Sequence, residues 1–101
     1  MYAGDLAACV AQAVERFDSL PPLMNVGLGH DHSVREYYEA VARTVGYRGR
    51  FVPDLSKPVG MAQKLVDVSK ATAWGWRAST SLETGLAAAY RHYLTLPKAA
   101  A

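Results

Sequence analysis

Lys57-Pro58-Val59-Gly60-Met61-Ala62-Gln63-Lys64-Leu65-Val66-Asp67-Val68-Ser69, followed six residues later by Gly75-Trp76, is the stretch on which the fold turns. Pro58 has no backbone N–H and Gly60 accepts almost any φ, so residues 54–63 read as a polar loop long enough to bind a ligand. Residues 64–68 read as brief and extended. Ser69 then caps a single helical turn that ends at Trp74-Gly75-Trp76.

Upstream, Asp5 reads as an N-cap. Leu6, Val10, Ala13, Val14 and Phe17 follow at helical spacing and predict an amphipathic helix over about residues 6–18. Pro21-Pro22 ends it. Residues 23–27 read as a short buried strand closed by Gly27-Leu28-Gly29. Ser33 and Glu36 form a capping box for a second helix whose buried face is Val34, Tyr37, Val41 and Val45, with Gly46 as its stop. Residues 50–53 read as a second strand, parallel to the first because a helix supplies the crossover. Thr80 and Glu83 repeat the capping box, opening a final helix with Leu82, Leu86, Tyr90 and Leu94 on one face. The expected fold is α+β and α-rich, with a small βαβ element and flanking helices. It forms one lobe over residues 1–96 with a frayed tail over 97–101, and its strand edges call for something to pack against.

Composition narrows the function classes. A chain of 101 residues holds one small domain. Half its residues are hydrophobic and 20% are charged, which is globular rather than disordered composition. Eleven basic and nine acidic side chains leave a net charge of +2, spread without a basic stripe, which argues against nucleic acid and anionic membranes as partners. No apolar run reaches the ~18 residues of a membrane span, and Met1-Tyr2-Ala3-Gly4-Asp5 is not a signal peptide. The lone Cys9 excludes an internal disulfide framework and suits a cytoplasmic location; its place in an apolar helical pattern makes it a small buried thiol rather than a nucleophile.

Other constellations fail on spacing. Gly27-Leu28-Gly29 lacks the third glycine of a dinucleotide loop and the acidic residue ~20 positions on, so a strand-to-helix turn is the better account. His30-Asp31-His32 cannot aim three consecutive side chains at one ion without an unusual turn, and no other His/Cys pair has ligand spacing, so no metal ligand is assigned. Neither a nucleophile elbow nor a glycosidase carboxylate pair is present around Asp54 or Asp67. A Tyr-x-x-x-Lys proton relay needs lysine four after a tyrosine; the six tyrosines are followed there by Leu6, Val41, Ala42, Phe51, Leu94 and Pro97. No residue of this chain is assigned a catalytic or cofactor-binding role.

Together with Asn25-Val26-Gly27-Leu28-Gly29 and Val45-Gly46-Tyr47-Arg48-Gly49, the 57–69 stretch and Gly75-Trp76 resemble the C-terminal part of GDP-L-fucose synthases. These are extended short-chain dehydrogenases/reductases of the NAD-dependent epimerase/dehydratase family, which epimerise and reduce GDP-4-keto-6-deoxy-D-mannose with NADPH. The resemblance runs over residues 2–94. It implies that this chain is the GDP-sugar-binding lobe, that the catalytic residues and the NADP(H)-binding domain lie upstream, that the chain is inactive alone, and that Met1 is internal to a longer ancestral frame. It also implies partners: the GDP-sugar, and an N-terminal cofactor domain or a second copy. In the family the loop reads Lys-Pro-Asp-Gly-Thr-Pro-Arg-Lys, and its final lysine contacts the substrate diphosphate, a role that falls on Lys64 with Lys57 at the loop entrance. Val59, Met61-Ala62 and Gln63 depart from that pattern. Read from the residues alone, Lys64 is equally a solvated charge beside a strand. Asp67, Ser69 and Trp76 read as structural, and Trp74 as a packing substitution for the family's leucine. Two other readings stay open: a catalytically silent remnant or interaction module, and the lobe of another nucleotide-sugar epimerase or dehydratase.

Overall fold

Capping chemistry explains where the helices start and stop. The computed structural model describes residues 1–97, with α1 (Ala3–Glu15), a 3-10 turn (Phe17–Ser19), α2 (Val34–Val45), α3 (Ser69–Trp74) and α4 (Leu82–Thr95). The frayed tail expected over 97–101 lies, from residue 98 on, outside the described residues. α2 begins with the expected box: Ser33 Oγ accepts from the Glu36 N–H at 3.2 Å, and Glu36 Oε2 accepts from the Ser33 N–H at 2.6 Å. Gly46, at φ 74°, closes it.

Two caps differ from expectation for one shared reason. α1 starts at Ala3, before Asp5, which lies buried in its first turn rather than at the cap. The Asp5 carboxylate instead accepts from the Thr80 N–H at 3.1 Å, the Thr80 hydroxyl at 2.8 Å and the Ser79 hydroxyl at 3.5 Å. Thr80 is thereby engaged, and the cap of α4 passes to Ser81, whose Oγ accepts from the Thr84 N–H at 3.1 Å.

The described chain divides into two compact units. One comprises Met1–Asp31 and Val52–Thr80, the other His32–Phe51 and the chain from Ser81 on. The first is built on Cys9, Ala71, Trp74 and Trp76, all buried, with Ala13, Leu20, Met24, Val26 and Ala78 packed around them. Trp74 Nε1 donates to Ser19 Oγ at 3.1 Å, and the Arg16 guanidinium lies 4.8 Å over the same ring. Both indoles are therefore packing groups, as the sequence suggests. Cys9 is a buried packing thiol whose pKa burial pushes up. In the second unit α2 packs on α4, with the small residues Ala40 and Gly85 buried. The face expected to be buried on α2 is open: Val34, Tyr37, Val41 and Val45 are all exposed.

The expected α+β class is wrong: among the described residues there is no strand, and so no βαβ element. The connecting helix α2 exists, but its two flanking strands do not. Residues 23–27 do run beside residues 64–68, held by side-chain bonds rather than a ladder. Asn25 Nδ2 donates to the Asp67 carbonyl at 3.2 Å, and Lys70 Nζ to the Leu23 carbonyl at 3.5 Å. A strand requires main-chain N–H and C=O groups to pair along a neighbour, and extended residues that bind through side chains lack that pairing. Within the second unit Phe51 is held by ring contacts, 5.5 Å from Tyr38 and 5.7 Å from Tyr47, while Pro53 has no N–H to give a ladder. No helix among the described residues is long and apolar enough to cross a membrane.

Candidate substrate-binding segment

The two lysines singled out by the sequence sit on a segment held firmly at its C-terminal end only. Asp67 forms that anchor. Its Oδ1 accepts from the Ser69 N–H, the first of α3, at 2.8 Å; the expected Ser69 cap is not formed, because Ser69 is already helical and Val68 stands at the cap with no side-chain bond to give. The donated Ser69 N–H, helped by the Ser69 hydroxyl and the Lys70 charge, holds the Asp67 carboxyl below its ordinary pKa. At the other end of α3, Gly75 takes φ 99° and donates to Thr72 at 3.1 Å, and Trp76 donates to Ala71 at 2.9 Å. This double closure needs a left-handed residue, which explains the glycine before Trp76.

Gly27-Leu28-Gly29 serves the same anchor. A Cβ on Gly27 would stand 2.8 Å from Val66 Cγ2, and one on Gly29 would stand 2.8 Å from Val68 Cγ2. The absent side chains let two valines of residues 64–68 lie directly on backbone. Gly29, at φ 78°, also turns the chain. The glycine pair is thus a seat for the segment, and the strand that the turn was expected to close is absent among the described residues.

Lys64 lies two residues before Val66 and three before Asp67, so its register is set by this seat. Lys57 lies seven residues further upstream on an exposed run. A local turn precedes it: Asp54 Oδ1 accepts from the Ser56 hydroxyl at 2.6 Å and the Ser56 N–H at 3.0 Å, and the Lys57 N–H donates to the Asp54 carbonyl at 3.4 Å. The Ser56 donors hold the Asp54 carboxyl below its usual range. Among the described residues no hydrogen bond or ion pair occupies either lysine ammonium; the ion pair present is the exposed Arg43–Glu83 contact at 3.7 Å. Chemically the segment offers two cationic points on an accessible loop, one of them fixed in register. Among the described residues no group of three or more His, Cys, Asp and Glu side chains gathers as a metal site. The sequence reading missed Asn25 and Lys70 as anchoring groups. Their signal is weak, because a polar residue beside an extended run announces no partner 42 or 47 positions away.

No family profile matches the chain. Individual proteins do. It is 47% identical over 95 residues to a GDP-L-fucose synthase of Azorhizobium caulinodans, a match covering 94% of this chain and 30% of that protein. It is 42% identical over 94 residues to a GDP-L-colitose synthase of Yersinia pseudotuberculosis, covering 93% of the chain and 30% of the relative. To a GDP-L-fucose synthase of Escherichia coli it is 37% identical over 102 residues, covering 93% and 32%. The chain therefore spans about 30% of the length of the relatives it matches.

Proposed function

From a chain that is homologous over nearly its whole length to the C-terminal part of GDP-L-fucose synthases, we propose that the 57–64 segment supplies contacts to a GDP-sugar, with Lys64 as the principal one. The names of the relatives share the GDP and differ in the sugar, fucose in one case and colitose in another. A segment common to both is suited to the shared diphosphate rather than to the hexose. Lysine is a compact point charge for phosphate oxygens. The observation that carries the reading is the accessible Lys64 side chain set in register by the Val66–Gly27 and Asp67–Asn25 contacts. Lys57, on the looser run, contributes mainly field.

In this reading hydride and proton transfer, and the NADP(H) they need, belong to the portion that the relatives carry outside the match, and this chain alone is inactive. A cytoplasmic setting fits the buried unpaired thiol of Cys9.

A hydrogen bond to a charged group contributes roughly 1.5–3 kcal/mol. Lys64→Ala, in a complete synthase carrying this segment, is therefore expected to weaken GDP-sugar binding by about one to two decades. Lys57→Ala should cost much less, and neither change should alter NADPH affinity. Turnover at saturating substrate should fall far less than kcat/KM, because no group acting on the reacting atoms is removed. Calorimetric titration at low salt decides it: equal GDP-sugar affinities for the wild type and Lys64→Ala would leave Lys64 a solvated charge.

A further inference from the structure

The basic side chains of this protein are sorted by type along the chain. Residues 32–51 hold four arginines and no lysine, whereas every lysine lies at Lys57 or beyond. Part of the charge in that stretch is already used. Arg43 meets Glu83 at 3.7 Å, and Glu36 closes the capping box of α2. Arg35, Arg48 and Arg50 stay exposed, with no ion pair among the described residues, and the one carboxylate left in the stretch is Glu39.

The same stretch builds an aromatic row. The Phe51 ring stands 5.5 Å from Tyr38 and 5.7 Å from Tyr47, so three rings from α2 and the chain after it form one patch. Gly49 makes the row possible. A Cβ there would overlap the Tyr47 hydroxyl and Cζ, so the Tyr47 ring lies back over bare backbone. The rings support one another and yet remain between 46% and 58% exposed. Arg35 sits three residues before Tyr38, on the same face of α2, and Arg48 and Arg50 lie between Tyr47 and Phe51 in the chain. Exposed tyrosine, phenylalanine and arginine, with lysine absent, is the composition of protein-binding hot spots.

We infer that the Tyr38–Tyr47–Phe51 patch and its three arginines are a docking surface for an acidic segment of another protein, one that carries an aromatic or long aliphatic side chain among its carboxylates. The charge balance selects that chemistry, because three guanidinium groups face one carboxylate and a planar guanidinium pairs with a carboxylate through two parallel bonds. The same balance opposes a second copy. Two-fold pairing of the patch would set Arg35, Arg48 and Arg50 against themselves. Nucleic acid asks for a basic track that follows phosphates, and here the charges surround an apolar centre instead. About half of the 150–250 Å² of each ring leaves roughly 300 Å² open. That suits a short segment rather than a standard interface of about 800 Å² per partner. The patch lies within the second unit and owes nothing to the reading of Lys64.

The test follows the fluorescence anisotropy of a labelled random glutamate–tyrosine copolymer. It is titrated with the isolated chain and with an A. caulinodans synthase whose matched segment is replaced by this chain. Both are expected to bind the copolymer. Polyglutamate of the same length lacks the anchor and should bind at least ~10-fold more weakly, and a lysine–tyrosine copolymer should not bind. Arg48→Ser combined with Arg50→Ser, at two exposed positions, is expected to weaken binding about 10-fold and to flatten its dependence on salt. Phe51→Ser should weaken it as much while leaving the salt dependence in place. Arg91→Ser and Tyr93→Ser remove an exposed arginine and an exposed tyrosine of α4 and should leave binding unchanged. Equal losses for the α4 pair and the patch would overturn the inference, as would polyglutamate bound as tightly as the copolymer, or displacement of the copolymer by single-stranded RNA. So would an arginine pair whose loss changes nothing, whatever Phe51→Ser does to the fold. A chimera that does not bind would also overturn it, since the rest of a synthase would then cover the patch.

Discussion

Residues 67–76 and residues 54–64 follow one another in the chain and are held in opposite ways. In the first stretch nearly every residue has a task. Asp67 holds the first N–H of α3 and takes a bond from Asn25, Ala71 and Trp74 are core, Gly75 closes the helix, and Trp76 packs beside Trp74. In the second, the hydrogen bonds among the described residues are confined to a four-residue turn at Asp54, and the side chains beyond it are exposed. Folding therefore dictates the residues of the anchor and leaves those of the loop free for another use. A loop whose composition is not required by packing, mounted on a rigid seat, is the common design of a binding element.

The largest expected effect lies in the anchor. Trp74→Ala removes one of the two largest members of a core with few members, loses the indole N–H bond to Ser19 Oγ, and takes the platform from Arg16. Such truncations cost about 3–5 kcal/mol, comparable to the whole stability of a domain this small. The expected outcome is loss of a cooperative thermal transition followed by circular dichroism. Retention of a sharp melt would mean that the first unit is held by something other than its indoles, and the contrast with the loop would collapse.

A smaller effect separates the two carboxylates. Asp67 and Asp54 are both held below the ordinary value of 3.8, the first mainly by the Ser69 N–H and the second mainly by the Ser56 hydroxyl. A depressed carboxylate adds stability above its unfolded pKa and loses it as pH falls through the folded pKa. The window therefore lies below about pH 3.8 for both. Protonating Asp67 should fray the six-residue α3, whereas protonating Asp54 should free only its own turn. Carboxyl and amide resonances followed by NMR from pH 6 to pH 2 are expected to show the Ser69 to Trp74 amides moving with Asp67, and no amide beyond residues 54–57 moving with Asp54. With Asp67→Asn the α3 amides should lose that dependence.

What the sequence made legible was local. Ser33 and Glu36 sit three apart, and the box they form follows from that spacing alone. Gly46 and Gly75 end their helices as their lack of a Cβ predicts, and the paired tryptophans read as core. The failures involve partners far along the chain. Asp5 and Thr80 were both read as caps because nothing near either one shows that they bind each other across 75 positions. Residues 23–27 and 50–53 have strand composition, but a strand exists only with a ladder, and composition cannot report whether a neighbour will donate one. The apolar spacing of α1 and α2 was read as two buried faces; the spacing was real, but it does not say which molecule does the burying. As for the candidate site, the residue types of Lys57 and Lys64 were visible, and the seat that fixes Lys64 was not, since it consists of two glycines that look like a turn.

The smallest expected effect is the most diagnostic for the loop. Val59 is 94% exposed and Met61 72% exposed. Replacing either by serine removes no buried contact, and exposed substitutions away from caps and special backbone usually fall within about 0.5 kcal/mol. Val59→Ser and Met61→Ser are therefore expected to leave the melting curve of the isolated chain unchanged. A cost above about 1 kcal/mol would mean that the loop packs on its own unit, and the division between seat and binding element would fail. The same variants also probe what covers the loop. An apolar side chain that costs nothing to lose in the isolated chain, yet shifts the melt once GDP-sugar or the rest of a synthase is present, must gain its contact from that added component. A null result in both settings would mean that neither side chain touches the added component. The order of the effects, from Trp74 to Asp67 to Val59, then follows how many contacts each side chain makes within this chain.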